Sequence, residues 1–162
     1  MPLTDLLLAP MNHLQTLVAS SATFRAEVGA ASVAAAKARI YKGEKLGEIS
    51  ESRAIIGRFA GSLFRKVGTG PSWHFEGSGL FVLFEFLETA NAGDPAAAHT
   101  SFCTKVESII DEIAALCGTD DGTTQYLDVV EIVETMPALP CDPDQHQGTY
   151  FWAAEYKFTH HG

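Results

Sequence analysis

Six histidines, three cysteines and a scatter of carboxylates are the residues of this chain whose types could do chemistry. Imidazoles hold zinc-like ions or serve as general bases near neutral pH, provided that several ligands meet at one point. His160 and His161 are adjacent in an extended segment, where neighbouring side chains face opposite ways. His13, His74, His99 and His146 fall on four different predicted elements. Asp142 and Asp144 beside Cys141 resemble a fragment of a calcium loop, but Pro143 intervenes and no closing glutamate follows. Glu85, Glu88, Glu107, Asp111 and Glu112 are numerous enough for a paired-carboxylate site. Glu107 and Asp111, four apart on a predicted helix, share a polar face that reads as solvated. Gly68-Thr69-Gly70 lies between two extended segments, so no helix N-terminus follows it to bind phosphate. Serine-nucleophile elbows, zinc-protease helices and Lys-bearing phosphate loops are missing from the sequence. No residue takes a catalytic, cofactor-binding or metal-ligating role, and the expectation is a protein that is not an enzyme and needs no cofactor.

One alternative of another class stays open. An aromatic groove near Trp73 and Trp152, with His74 or His146 as base, would make a small-ligand-binding or hydrolytic α+β domain.

Composition narrows the field further. The chain has 162 residues, 46% of them hydrophobic and 19% charged, which suits one soluble globular domain spanning residues 1–162 and excludes a disordered tail. No apolar run reaches the roughly 18–20 residues of a membrane span. Twenty acidic against eleven basic residues give a formal net charge of −9. Such a field repels phosphates, so neither sequence-specific nucleic-acid binding nor an anionic membrane surface is expected. The N-terminal Met-Pro-Leu-Thr-Asp lacks the basic start of a secretory signal. Cys103, Cys117 and Cys141 form no CxxC pair, and the first two read as small helix residues in a reducing compartment.

The elements that would position these groups follow from periodicity. Thr4 to Ala19 has helical spacing at Leu7, Met11, Leu14, Leu17 and Val18. Pro10 either kinks this helix or starts it. Ser20-Ser21 caps a short helix from Ala22 to Val28, ended by Gly29, and Ser32 to Ala38 adds a third piece running into Ile40-Tyr41. Tyr41 to Ser52 reads as a polar loop or arm. Ile55, Gly57, Phe59, Gly61, Leu63 and Val67 suggest a half-buried strand bent at its glycines. Leu80 to Phe84 is apolar on both faces, as in a central strand. Asp94-Pro95 opens a long helix striped with Phe102, Val106, Ile109, Ile110, Ile113, Leu116 and Cys117, with Gly118 as its exit. Tyr126 to Glu134 is strand-like, Met136 to Gly148 holds three prolines and reads as an irregular loop, and Tyr150 to Thr159 alternates cleanly. The expected architecture is α+β: an antiparallel sheet of about four strands, the long helix on one face, and N-terminal helices. With strands apolar on both faces, one helix layer leaves apolar surface for neighbouring copies or a ligand.

This order of elements resembles the tail terminator and tail-completion proteins of long-tailed bacteriophages. The likeness is carried by Leu14 to Ser20, Phe24-Arg25-Ala26-Glu27-Val28-Gly29, Gly79 to Glu85 before Asp94, the Phe102…Val106…Ile109…Ile113 helix, Tyr126 to Ile132, and the Tyr150 to His161 strand. It is a pattern over most of the chain rather than a signature motif, and head–tail connectors and minor tail proteins share it. The resemblance implies a structural virion protein without catalytic residues. It would be assembled in the host cytoplasm as a self-associating ring, commonly a hexamer, between tail tube protein and head–tail connector. The acidic surplus would then line a lumen that DNA passes without sticking. The loops at 41–52 and 136–148 are longer than a minimal member needs and are the candidates for contacts.

Overall fold

A computed structural model describes residues 3–42, 52–57, 65–67, 74–87, 94–117, 126–140 and 149–161, and side chains within them at 10–42, 52–57, 76–83, 94, 96–117, 131–135, 137 and 150–159. The order is α1 (Leu3–Ser20), α2 (Ala22–Glu27), α3 (Val33–Lys37), β1 (Ile40–Lys42), β2 (Arg53–Gly57), β3 (Arg65–Val67), β4 (His74–Leu87), α4 (Pro95–Leu116), β5 (Tyr126–Pro140) and β6 (Thr149–His161). The α+β class read from the sequence is the class of the fold.

Local chemistry accounts for the helix ends. The Ser21 hydroxyl accepts the Phe24 N–H, and the Ser32 hydroxyl accepts the Ala35 N–H. Asp94 accepts from the amides of Ala96 and Ala97, with Pro95 in the first turn, where its missing donor costs nothing. Gly29 stands at φ 64 just beyond α2, and the Ala30 N–H reaches back to the Arg25 carbonyl, so the positive φ closes the helix. α1 runs unbroken through Pro10 rather than starting there. A proline in a helix forfeits one backbone hydrogen bond, and the burial of Leu14, Leu17 and Val18 in the core outweighs that loss.

The sheet is mixed, in the order β1-β2-β4-β6-β5. β1 and β2 pair in parallel, and every other pair is antiparallel. β2 and β3 flank the same edge of β4, at Leu80–Phe84 and His74–Glu76. Between these pairings the chain has seven residues where β4 has three, so the single bent strand expected over 55–67 divides in two. β2 is also buried at all five positions, not half-buried. β5 extends six residues past the expected end, to Pro140, which corrects the loop reading of residues 136–140. Its prolines are tolerated because β5 is an edge strand and register shifts interrupt its ladder after Val129, Glu134 and Met136. Residues 43–51 and 141–148 of the expected loops, and Gly118, lie outside the described residues.

All core helices occupy one face of the sheet. That face is carried by Ala54 and Ile56 of β2, Phe81 and Leu83 of β4, and Trp152, Ala154, Tyr156 and Phe158 of β6. α1 supplies Leu14, Leu17 and Val18, and α4 supplies Ala98, Phe102, Val106, Ile109 and Ile113. Each large side chain so buried contributes roughly 1.5–3 kcal/mol. Gln15 of α1 donates to the carbonyls of Lys37 and Ile40, and Lys42 bonds Asn12, which fixes α1 along the β1 edge.

Glu112, grouped with the solvated carboxylates by its sequence position, instead fastens α4 to the start of α2. Its oxygens accept the Thr23 hydroxyl at 2.7 Å and the Thr23 N–H at 3.2 Å. Burial pushes its carboxyl up, but hydrogen bonds from Ser21, Thr23 and the Ala22 and Thr23 amides outweigh that and hold it below its ordinary 4.5. A depressed carboxyl stabilises the fold above the unfolded value and loses that contribution as pH falls through the folded value. Glu112→Gln is therefore expected to cost about 1 kcal/mol at neutral pH. Denaturant titrations at neutral pH and at successively lower pH should show the wild-type advantage shrink as the folded carboxyl takes up its proton. A constant difference would refute the assignment.

Candidate assembly surface

The side of the sheet away from the helices is the candidate for an assembly surface. Parity along the strands places Leu80 and Val82 of β4, Phe151, Ala153, Glu155, Lys157 and Thr159 of β6, and Glu131 and Val133 of β5 on this reverse side. Burial is complete at Arg53, Ile55 and Gly57 of β2 and falls off across the sheet. Leu80, Val82 and Phe151 are half-buried, and Glu131, Val133 and Lys157 are exposed. Lys157 and Glu131 pair across β6 and β5 at 2.6 Å, and this hydrogen bond and charge hold the lysine above its ordinary value. β5 follows as a long edge strand, its exposed residues including Glu131, Glu134, Thr135 and Pro137. Charges, proline and register shifts on an edge are the features that discourage indiscriminate pairing.

Among the residues whose side chains are described, few large apolar side chains are left uncovered. Among the described residues Val133, 39% exposed, is the only exposed large hydrophobic. Phe81 of β4 and Tyr150, Trp152, Tyr156 and Phe158 of β6 are buried on the face that packs against the helices. Tyr150 stacks on Phe102 with ring centroids 5.4 Å apart, and Phe81 meets Trp152 edge-on at 5.9 Å.

The residues singled out for chemistry are mostly dispersed. Trp152 of the alternative aromatic groove is a core residue, 5% exposed, with its indole N–H donating to Glu134 at 2.7 Å. Trp73 and His146 lie outside the described residues, as do Glu88, Cys141, Asp142 and Asp144. His74 opens β4 opposite His161 of β6, while His160 pairs with Phe75. His13 is buried in α1. Glu107 and Asp111 are exposed on α4, as their spacing indicates, and Glu85 belongs to a different element, β4. His99 and Cys103 of α4 do meet, with Sγ 3.8 Å from each ring nitrogen. Among the residues whose side chains are described, no group of three or more His, Cys, Asp or Glu could hold a metal ion. No described helix is long and apolar enough to cross a membrane.

Two features escaped sequence reasoning. Arg53, 2% exposed, heads the fully buried side chains among the described residues, and an arginine opening a strand carries no local sign of burial. The tie of Lys105 to Glu27 at 2.7 Å, with Ser52 also donating to Glu27, joins α4, α2 and the entry to β2 across long sequence separations.

No protein-family model and no curated protein matches the chain.

Proposed function

We propose that this chain is a structural protein of a bacteriophage tail or neck, a tail terminator that closes into a ring at the end of the tail tube and joins it to the head side. The observation that carries this reading is the one-sided helical cover: every core helix packs on one face, which leaves the β5–β6 reverse side and the β5 edge for a neighbour. Head-to-tail contacts between copies close into a ring when the rotation between them closes. The contact combines Val133, Phe151 and Leu80 with the Lys157–Glu131 pair and Glu155, a mixed composition typical of non-obligate interfaces. The net charge of −9 keeps the subunit soluble before assembly and repels DNA passing a lumen.

Negative-stain microscopy and native mass measurement, with and without tail tubes, test the reading. Closed rings, alone or on tube ends, are expected. A monomer at high concentration with no affinity for tubes would overturn it. Val133→Asp should change the stability of the single chain by no more than about 1 kcal/mol, because the residue is exposed on an edge strand. The same substitution should abolish rings, since it places an unpaired charge at the centre of the contact. Intact rings from the variant would exclude this face.

A further inference from the structure

We propose that copies of this chain join head to tail by charge, the acidic β5 edge of one seated against the basic corner that the end of α3 and β1 form on the next. This rests on the reading of the chain as a ring-forming subunit and adds which surface of the neighbour the β5 edge meets. Charge is sorted along the sheet. Residues 37–66, which include β1, β2 and most of β3, hold eight of the eleven basic residues and three of the twenty acidic ones. Residues 126–161, which include β5 and β6, hold six acidic residues and one basic, Lys157. The strand order β1-β2-β4-β6-β5 puts β1 and β5 at opposite edges, with β2 and β3 on the β1 side of β4. Lys37, Arg39 and Lys42 stand within six residues at the β1 corner, each partly exposed.

Contacts within the subunit do not cancel this separation. Between residues 10 and 42 the one acid is Glu27, and Lys105 of α4 engages it. Lys42 bonds Asn12, a neutral group, and so keeps its charge for the surface. On the other side a single cation, Lys157, stands among Glu131, Glu134 and Glu155. Four strand spacings of about 4.8 Å put β1 and β5 roughly 19 Å apart, more than twice the Debye length of about 8 Å at physiological salt. The two edges of one subunit therefore cannot neutralise each other, whereas edges of two copies can at contact distance. A contact between unlike surfaces is heterologous, the kind that closes into a ring. The Ile40 carbonyl of β1 is taken by Gln15 of α1, and register shifts interrupt β5, so side chains make the join rather than a continued ladder. The net charge of −9 repels copies in other orientations, which leaves the complementary edges to set the register of approach.

Sedimentation and native mass measurement of charge-reversed full chains, alone and with tail tubes, test the join. Lys37→Glu combined with Lys42→Glu should weaken association at least about tenfold, and so should Glu131→Lys combined with Glu155→Lys, with circular dichroism unchanged. All four substitutions in one chain exchange the signs of the two edges and should restore assembly. Wild-type rings that survive the Lys37 and Lys42 reversals would overturn the join and leave the ring reading standing. If the Glu131 and Glu155 reversals alone disrupt those rings, the acidic edge meets some other basic surface, which overturns the join as well. A folded fourfold variant that assembles no better than the two double variants would also overturn it. A wild-type chain that stays monomeric with and without tubes would remove the ring reading, and the join with it.

Discussion

Gly79→Ala should destabilise the protein by about 3 kcal/mol, one of the two largest single-site losses expected in this fold. Gly79 sits in the middle of β4 opposite Tyr156 of β6, beside Leu80, which is paired with Gly57 of β2. A Cβ at Gly79 would stand 2.4 Å from the Gly57 carbonyl oxygen and 2.5 and 2.6 Å from Cε1 and Cζ of Tyr156. Neither neighbour has an easy retreat. The carbonyl belongs to a strand buried at every position, and Tyr156 is fully buried between the sheet and the helices. The glycine is thus required by close approach rather than by backbone angle. Gly29 makes the opposite case. Its φ is 64 and nothing lies within 4 Å of a Cβ there, so Gly29→Ala pays only the left-handed penalty, about 1 kcal/mol.

Chemical denaturation of the two alanine variants separates these mechanisms. Replacing Tyr156 by leucine in the Gly79→Ala background should recover only part of the loss, because the Gly57 carbonyl remains in the way. A Gly79→Ala cost below about 1 kcal/mol would show that the strands separate readily and that the close packing of β2 on β4 is not a constraint.

Elements with strong local signals were legible in the sequence. α4 announces itself through Asp94-Pro95 and a stripe of apolar residues at helical spacing, and β6 through strict alternation from Tyr150 to Phe158. The cap of α2 is also readable from Ser20-Ser21, of which Ser21 makes the bond. What failed depended on partners distant along the chain. The continuation of β5 through Pro137 and Pro140 is permitted by its place at the sheet edge, which no local pattern encodes. The parallel pairing of β1 with β2 is likewise a property of the assembled sheet. Arg53 and Glu112 carry side chains that usually face water, and only the tertiary contacts of Glu112 with α2 reveal its role. Among the chemical candidates, His99 and Cys103 meet because they stand four apart on one helix, a spacing visible in the sequence.

Phe102→Ala should cost about 3–5 kcal/mol, which for a domain of this size lowers the melting temperature by roughly 10 °C. Phe102 is fully buried towards the start of the α4 stripe and stacks on Tyr150 with the ring planes inclined by 21°. Truncation removes that ring contact and leaves a void bounded by β6, which the sheet cannot close without breaking its ladder. The effect should not stop at α4. α2 has only six residues, too few to persist alone, and it is fastened to α4 by Glu112 at its first turn and by Lys105 at its last. Amide exchange in α2 should therefore accelerate along with exchange in the middle of α4. Phe102→Leu, which keeps most of the volume, should cost no more than about 1.5 kcal/mol and leave α2 protected. If Phe102→Ala loosens α4 while α2 keeps its protection, the two ties do not hold α2 to α4, and the short helix must owe its order to α1. Equal stability of the alanine and leucine variants would instead mean that the helix layer is not packed against β6 through this ring.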